Sequence, residues 1–453
     1  MADVQPFQGL RFSAAGVPDI GQVLCPPYDV IDAGDDARLR EQHPLNVVRL
    51  ELTTASVAGG ADGRYQEAAD TLRGWRQDGA LVKEAAPAYY LHEATFSVPG
   101  RAGEPFTRRE LIAAVGVEPW ANRAVLPHEL TYPRAKADRL RLLAATETNL
   151  SPILVFFNRD GKGDGDQGGA SDAAVRTDAV DAAWAWAADR APDAAGTDAE
   201  GVGHRLWVLT DPMLVGELRA YFASRPLFIA DGHHRYETAL NYLEDRRQRA
   251  GGELPPTHPA RSVMMHLIAE DDPGLVILPL HRLISGIGPD AVGPLVDGMR
   301  GTFEIETRPS EPLAAALTAL QERGSHGQAL ALVPRSGDIV LLTRPHGAPF
   351  PAAIPADRDV SWQALDVVLL DHTIVRPLLA AHQLHAEDAI SYVRDAEEAV
   401  RQVQNGTADL AVLVNPTRVE QVAAVALAGE RMPEKSTYFF PKAPTGLVFR
   451  PLE

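Results

Sequence analysis

The chain of 453 residues is too long for one ordinary hydrophobic core, so two or three domains are expected. With 45% hydrophobic and 23% charged residues, its composition is typical of a soluble globular protein. The net charge of −18, from 43 basic and 61 acidic residues, argues against wide contact with a nucleic-acid backbone. A small nucleotide remains compatible with that charge, because a local basic pocket can exist in an acidic protein.

The cysteine content and the first residues of the sequence indicate the cellular compartment. The single cysteine, Cys25, excludes an internal disulfide framework and is typical of a reducing environment. Residues 1–4 lack the basic and apolar segments of an export signal, and no apolar run is long enough to cross a bilayer. We therefore expect a cytoplasmic protein with no membrane partner, and leave the oligomeric state open.

The sequence of the first third of the chain predicts short strands and two helices, the first of them amphipathic. Strands are predicted at residues 47–52, 89–98, 110–117 and 151–157, with the second and third forming a hairpin. Helices are predicted at residues 65–81, with Leu72 and Trp75 facing inward, and at residues 134–147. Just before the second helix, His128 and Glu129 lie in a polar loop between two prolines.

Residues 158–224 divide into two parts. Residues 158–172 are rich in Gly and Asp, which favours a flexible loop. A helix at residues 173–190 and a strand at residues 205–209 are predicted to follow.

The next stretch combines a strand, a tight turn and a helix. Residues 227–230 form a short apolar run that predicts a buried strand, and the apolar spacing from Tyr236 onwards predicts a helix. Asp231 is a suitable N-cap residue, and Gly232 permits a tight turn. The first helical turn then carries two imidazoles and a guanidinium beside the unpaired N–H groups of the helix start. This arrangement favours an anion site over a helix with merely solvated polar residues.

The remainder predicts two further strands and a second α+β region from about residue 289. The strands are predicted at residues 262–269, 275–284, 329–333, 339–342, 390–393 and 409–414. The helices are predicted at residues 365–381, 396–404 and 419–428. Near the C-terminus, residues 430–442 mix hydrogen-bond donors with aromatic residues, so they form either a phosphate- or carboxylate-binding segment or a surface edge strand.

Several of these motifs resemble known families. The run from Asp231 to Arg235 (DGHHR) resembles the signature of the ParB/sulfiredoxin superfamily, in the form found in free serine kinases. The whole chain resembles a bacterial and archaeal family known as a domain of unknown function, DUF1015. That resemblance rests on residues 26–31 (PPYDVI), 46–49 (NVVR), 127–131 (PHELT), 231–235 and 432–437 (MPEKST).

The resemblance implies an α+β fold with a ParB/sulfiredoxin-like core. Residues 1–117 would form a strand-rich N-terminal α+β region, and residues 118–288 the nucleotide-binding core. Within that core, residues 158–224 would be an insertion, because the resemblance implies a short connection there. Residues 289–453 would form a C-terminal α+β domain.

The resemblance also implies roles for individual residues. Gly232, His233, His234 and Arg235 would bind the nucleotide phosphates. Glu129, brought close to the Asp231 turn, would act as the catalytic base, with Asp231 and His233 as further catalytic residues. Asp231, an anion beside phosphates, makes sense if it holds Mg²⁺ or orients the acceptor. Substrate binding is assigned to His128, Thr131, Asn149, Ser151, Lys435, Ser436 and Thr437.

The predicted function is a nucleotide-dependent phosphotransferase acting on a small molecule, possibly free L-serine, with Mg²⁺ and ATP, ADP or CTP as cofactors. A ParB-like nucleotide-binding or nucleotide-hydrolysing switch is one alternative, although the acidic charge disfavours DNA contact. A small-molecule phosphatase is another. A zincin is excluded, because Tyr132 occupies the fifth position of the HExxH pattern that starts at His128.

Overall fold

The computed structural model describes residues 2–52, 63–101, 103–131, 133–159, 178–309 and 311–452. The chain divides into two compact units. Unit 1 comprises Met1–Pro127, Thr131–Leu275 and Pro441–Glu453, and unit 2 comprises His128–Leu130 and Val276–Phe440. Most of the predicted flexible loop, from residue 160 onwards, lies outside the described residues.

Unit 1 is built on a nine-stranded mixed sheet. The first twelve strands of unit 1, in chain order and including three outside this sheet, are β1 (Val4–Gln5), β2 (Leu10–Phe12), β3 (Leu81–Lys83), β4 (Tyr89–Phe96), β5 (Phe106–Gly116), β6 (Val125–Leu126), β7 (Thr148–Asn149), β8 (Ile153–Phe157), β9 (Ala194–Thr197), β10 (Gly203–Leu209), β11 (Leu227–Asp231) and β12 (Ser262–Ala269). The spatial order is β6-β11-β8-β12-β5-β4-β10-β9, with β1 also on β5. Strands β2 and β3 form a separate pair, and β7 pairs with the C-terminal strand β21 (Arg450–Pro451).

Helices cover both faces of this sheet, because side chains along each strand alternate between the faces. The helices of unit 1 are α1 (Ala33–Gln42), α2 (Val48–Glu51), α3 (Gly63–Gln77), α4 (Pro133–Thr146), α5 (Ala179–Ala188), α6 (Pro212–Phe222) and α7 (His233–Ala250). One core joins Leu91 and Leu111 of the sheet to residues of α5, α6 and α7. The other joins Tyr90 and Ile112 to residues of α2 and α3. Fully burying each such large apolar side chain contributes about 1.5–3 kcal/mol.

Unit 2 contains a six-stranded sheet in the order β15-β17-β16-β19-β14-β18, and a separate pair, β13 with β20. Its strands are β13 (Val276–Leu278), β14 (His281–Ile284), β15 (Glu304–Arg308), β16 (Gly327–Pro334), β17 (Ile339–Pro345), β18 (Ile390–Val393), β19 (Leu410–Val414) and β20 (Tyr438–Phe440). Its helices are α8 (Val292–Gly298), α9 (Leu313–Ser325), α10 (Val360–Gln363), α11 (Asp366–Leu370), α12 (Arg376–His382), α13 (Ala386–Ala389), α14 (Ala396–Gln404) and α15 (Val419–Leu427).

Many predicted elements are confirmed. The α+β class holds, and β4 and β5 form the predicted antiparallel pair. Helix α3 buries Leu72 and Trp75 as expected. The segment 158–224 supplies α5, α6 and two strands of the main sheet, and its β10 pairs with β4 over seven residues. The three-domain division and the ParB/sulfiredoxin label stay predictions.

The predicted strand at residues 47–52 is wrong, because this segment forms helix α2. The side chain of Asn46 decides the conformation. Its Oδ1 accepts a hydrogen bond from the Val48 amide at 3.0 Å, and its Nδ2 donates to the carbonyl groups of Gln22 and Leu24. These bonds fix a turn that outweighs the strand preference of the two valines.

The predicted single strand at residues 275–284 is also wrong. It is two strands: β13 pairs with β20, whereas β14 lies between β18 and β19 of the six-stranded sheet. The break includes Pro279, which has no N–H group to continue a ladder of hydrogen bonds.

One further prediction, a continuous helix at residues 365–381, is confirmed only in its extent. A wider π-helical turn at Asp371–Val375 separates α11 from α12. Pro377 lies in the first turn of α12, where its missing N–H group interrupts the hydrogen-bond pattern. Among the described residues, none of the helices combines the length and apolar character needed to cross a bilayer.

Candidate functional site

The predicted strand, turn and helix around Asp231 are present in unit 1. Strand β11 ends at Asp231, and helix α7 begins at His233. The residue at the N-cap is Gly232, so the prediction of Asp231 as N-cap is wrong. Gly232 has φ of 98°, a conformation that favours glycine, and it provides no side chain to cap the helix.

Asp231 is held between two cations instead of capping the helix. Its Oδ1 accepts a hydrogen bond from the Lys442 ammonium, and its Oδ2 accepts one from the Arg235 guanidinium. Burial alone would raise the pKa of Asp231, but Lys442 and Arg235 outweigh that effect and hold the pKa well below its usual range. Asp231 is therefore a permanent carboxylate that fixes two cations at the start of α7.

Arg235 folds back over the turn. Its second terminal nitrogen donates to the carbonyl oxygen of Pro152, immediately before β8. A Cβ atom at position 232 would lie 2.9 Å from Nε of Arg235, so the glycine also makes room for the guanidinium. The side chain of Arg235 is only 10% exposed. Its position is thus set by the turn, the strand end and Asp231 together.

The two histidines of this turn have different electrostatic surroundings. His233 is buried and contributes to the low pKa of Asp231. Burial lowers the pKa of His234, which also interacts electrostatically with Asp29 and Glu237. Since the usual pKa of histidine is about 6.5, His234 is neutral at pH 7 and serves as a hydrogen-bonding group.

The segment 26–31 contributes to the surroundings of the same turn. Tyr28 and Asp29 lie in a 3₁₀ turn, Tyr28–Val30. Burial raises the pKa of Tyr28, which interacts with Arg235 and Arg139. The Arg139 guanidinium lies over the Tyr28 ring, 4.0 Å from its centroid, and pairs with Glu51 at 2.8 Å.

Thr131 reaches the first turns of α7 through Glu237. Its hydroxyl donates to Oε2 of Glu237 at 2.6 Å, and the Lys136 ammonium lies 2.5 Å from the same oxygen. Burial would raise the pKa of Glu237, but the bonds from Lys136 and Thr131 outweigh it and lower the pKa. The predicted substrate residue Thr131 thus contacts the α7 carboxylate.

In unit 2, three predicted residues are brought together. His128 is fully buried, and its Nε2 lies 3.1 Å from the Thr437 hydroxyl. That hydroxyl donates to Oε1 of Glu129 at 3.3 Å. If Thr437 donates its only proton to Glu129, His128 must donate to Thr437, which assigns the proton to Nε2. The result is a directed chain, His128 to Thr437 to Glu129, ending on a carboxylate whose side chain is 31% exposed.

The other predicted substrate residues differ in burial and in their partners. Oδ1 of Asn149 already accepts bonds from the Met264 amide and the Arg450 guanidinium, each at 3.1 Å. Ser151 is half-buried between β7 and β8. Ser436 is buried and donates to the Pro433 carbonyl at 2.5 Å. Lys435 is exposed, with φ of 55°, and its carbonyl accepts a bond from Arg282.

The surroundings of Asp231 do not fit the predicted Mg²⁺. Both carboxylate oxygens already contact a cationic side chain, and Mg²⁺ requires such oxygens as ligands. A divalent cation would also be repelled by the ammonium and the guanidinium.

Sequence reasoning missed several residues around Asp231 and α7. Lys442, Lys136 and Glu237 were not assigned to the site, although they contact predicted site residues. The signal for Lys442 was a lone lysine directly after Pro441, within the donor-rich C-terminal segment. Glu129 and Asp231 belong to separate compact units, and their joint site stays a prediction.

Fold and geometry define the class as a mixed α+β protein with a charged strand–turn–helix motif. The chain belongs to the family described as "Protein of unknown function (DUF1015)", whose model matches residues 4–368. The comparison with curated proteins gave no match.

Solved structures with some similarity include a free serine kinase in complex with AMP, at 11% identity and a TM-score of 0.34. The match covers 75% of this chain and 91% of that one. A variant of free serine kinase in complex with ADP has the same coverage, 12% identity and a TM-score of 0.35. A conserved hypothetical protein from Pyrococcus furiosus has 13% identity and a TM-score of 0.33, covering 78% of this chain and 98% of that one. TM-scores at this level do not establish a shared fold.

Proposed function

We propose that the protein is a nucleotide-dependent phosphotransferase that acts on a small hydroxyl-bearing molecule, with ATP or ADP as donor and free L-serine as a candidate acceptor. The observation that carries the proposal is the turn between β11 and α7. It combines a glycine N-cap with two cations fixed by one buried carboxylate. The run from Asp231 to Arg235 resembles the signature found in free serine kinases, which supports the proposal.

In the proposed function, the phosphates of the nucleotide bind at the start of α7. The positive end of the helix dipole, with Arg235 and Lys442, favours negative charge there. Asp231 acts as a positioning residue, because it holds both cations in place by ionic hydrogen bonds. His233 and His234 contribute as hydrogen-bonding groups.

Glu129 is the proposed general base. Its carboxylate is 31% exposed and accepts a hydrogen bond from the Thr437 hydroxyl. A carboxylate of this kind can take the proton of an acceptor hydroxyl. The acceptor hydroxyl would lose its proton to Glu129 while its oxygen forms a bond to the terminal phosphorus. The bond from that phosphorus to the bridging oxygen then breaks, and the nucleotide leaves with one phosphate fewer. His128 and Thr437 would orient Glu129 through their hydrogen-bond chain.

The proposal is tested by incubating the purified chain with ATP, ADP or CTP and a panel of free amino acids, followed by phosphorus NMR. The expected product is a phosphorylated amino acid, with O-phosphoserine as the specific candidate. Release of inorganic phosphate alone would favour a hydrolase. No consumption of any nucleotide across the panel would contradict the proposal.

A further inference from the structure

A second cluster of ionisable side chains lies inside unit 1, on the sheet face that packs against α2 and α3. His92 of β4, Glu110 of β5 and His266 of β12 are directed towards one point. Nδ1 of His92 lies 2.8 Å from Oε2 of Glu110, and Nδ1 of His266 lies 2.7 Å from the same oxygen. All three side chains are at most 1% exposed.

The two oxygens of Glu110 have separate partners. Oε2 faces the two histidines, whereas Oε1 lies 2.6 Å from Nε of Arg108. That pair is within ion-pair distance but is not aligned as a hydrogen bond. Since Arg108 is always charged, it keeps Glu110 ionised and leaves Oε2 directed at the two Nδ1 atoms.

Hydrogen bonds on the other side of the ring, at Nε2, orient His92. Nε2 of His92 lies 3.0 Å from Nδ1 of His204, and Nε2 of His204 lies 3.0 Å from Oδ2 of Asp198. Oδ1 of Asp198 accepts bonds from two backbone amides, those of Glu200 and Val202. A carboxylate only accepts hydrogen bonds, so His204 donates to Asp198 through Nε2.

The hydrogen-bond chain behind His92 is compatible with a metal ion at Nδ1 of its ring. With the ion there, Nε2 of His92 donates to Nδ1 of His204, and Nε2 of His204 donates to Asp198. This is the usual arrangement of a metal-bound histidine, whose other nitrogen donates to an acceptor.

We propose that His92, Glu110 and His266 bind a divalent transition-metal ion, for which Zn²⁺ is the representative. The ligand atoms are Nδ1 of the two histidines and Oε2 of Glu110, which all lie within 4.8 Å of one another. Two imidazoles and a carboxylate suit Zn²⁺ or a similar ion better than Mg²⁺ or Ca²⁺. Binding replaces the two Nδ1 protons and widens each N···O separation to about 3.3 Å, as expected for tetrahedral ligands at about 2.0–2.1 Å from the ion.

The location points to a structural role. The three ligands come from the adjacent strands β4, β5 and β12, so the ion links neighbouring strands in the middle of the sheet. The cluster is enclosed, and the proposal does not depend on the phosphotransferase activity. Metal that binds the folded chain more tightly than the unfolded one raises thermal stability.

The test uses the full chain without an affinity tag. The protein is stripped with a chelator, reloaded with Zn²⁺, desalted and analysed for metal by mass spectrometry. We expect one tightly held equivalent, and a thermal unfolding midpoint that rises by about 5 °C or more on reloading. Reloading with Co²⁺ should give the visible absorption of a low-symmetry site with nitrogen and oxygen ligands. A full chain that retains no zinc and shows no shift would overturn the proposal.

Variants locate the ion. Glu110→Gln and His266→Gln should each lower zinc affinity at least about 10-fold, since each removes a ligand. His281→Gln is the matched control, because His281 is also buried but lies in unit 2, where Nδ1 accepts a bond from the Val414 amide. Zinc retained by both ligand variants but lost in Asp231→Asn would assign the metal to the α7 turn and contradict this site.

Discussion

Asp231 and Glu110 are two buried carboxylates in the same unit, and their partners differ in kind. In each carboxylate, the two oxygens contact different partners. Asp231 contacts Lys442 and Arg235, which stay protonated at any physiological pH. Glu110 contacts Arg108 on one side and two imidazoles on the other. An imidazole can give up its proton, whereas a guanidinium cannot.

This difference shows that a buried carboxylate does not by itself identify a metal site. Where both oxygens contact permanent cations, as at Asp231, a further cation is disfavoured. Where one oxygen faces two imidazole nitrogens, as at Glu110, a metal ion can take the place of the protons on those nitrogens.

Glu129→Gln should have the largest effect on activity. The amide keeps the shape of the side chain but cannot take a proton, and general-base catalysis contributes about 10²–10⁴-fold. Turnover on a confirmed acceptor should therefore fall by about that factor, while nucleotide affinity changes little. Steady-state rates and nucleotide titrations measure both quantities. Glu434→Gln, an exposed residue in the same unit, is the matched control, and wild-type turnover of Glu129→Gln would rule out the base assignment.

Asp231→Asn should mainly lower stability. Removing one member of a buried ionic group typically costs about 3–5 kcal/mol, because the remaining charges lose their partner. The folded pKa of Asp231 is lowered, so its stabilisation is present above the unfolded pKa of about 3.9 and is lost as pH falls through the folded value. The difference in free energy of unfolding should thus be full at pH 7 and shrink below about pH 4.

Urea denaturation at several pH values measures this difference. Asp245→Asn on the same helix is the control, since Asp245 pairs with Arg249 on the exposed surface and should change stability by less than about 0.5 kcal/mol. Equal effects of the two substitutions would show that the Asp231 group is not a stabilising cluster.

Arg235→Ala should weaken nucleotide binding. Loss of a charged hydrogen bond to phosphate costs about 1.5–3 kcal/mol, which corresponds to roughly a 10- to 150-fold weaker affinity. Calorimetric titration with nucleotide, below the melting temperature of the variant, measures this affinity. Arg249→Ala, near the other end of α7, should leave affinity unchanged. Unaltered affinity of Arg235→Ala for every nucleotide would assign Arg235 to the structural cluster alone.

The smallest effect is expected at Asp366. Burial raises its pKa to about 7. A raised pKa means that the folded state binds the proton more tightly, so the stabilisation is full below about pH 4 and is lost as pH rises towards 7. The Asp366→Asn side chain cannot ionise. Between about pH 4 and pH 7 its free energy of unfolding should rise by about 1–2 kcal/mol relative to the wild type, a value reduced for solvent screening at this half-buried side chain. The free energy of unfolding of both proteins is measured between pH 4 and pH 7. A difference between them that stays constant with pH would contradict a raised pKa of Asp366.

The sequence by itself determined the features that are local in the chain. The strand–turn–helix around Asp231, the hairpin of β4 and β5, and α14 at residues 396–404 follow from periodicity and turn residues within a short window. The family membership also follows from short runs of residues. His128 and Glu129 are neighbours in the chain and can be singled out from the sequence as candidate site residues, and their roles stay predictions.

Only the tertiary structure decided the partners of those residues. Lys442 is 211 positions from Asp231 in the chain, and Thr437 is 308 positions from Glu129. His92, Glu110 and His266 lie in three strands whose pairing and register alone direct them to one point. Even the short segment at residues 47–52 became a helix because Asn46 bonds to the distant carbonyls of Gln22 and Leu24. Helix and turn preferences act over a few residues, whereas charge pairing and ligand geometry depend on contacts that form only when distant strands meet.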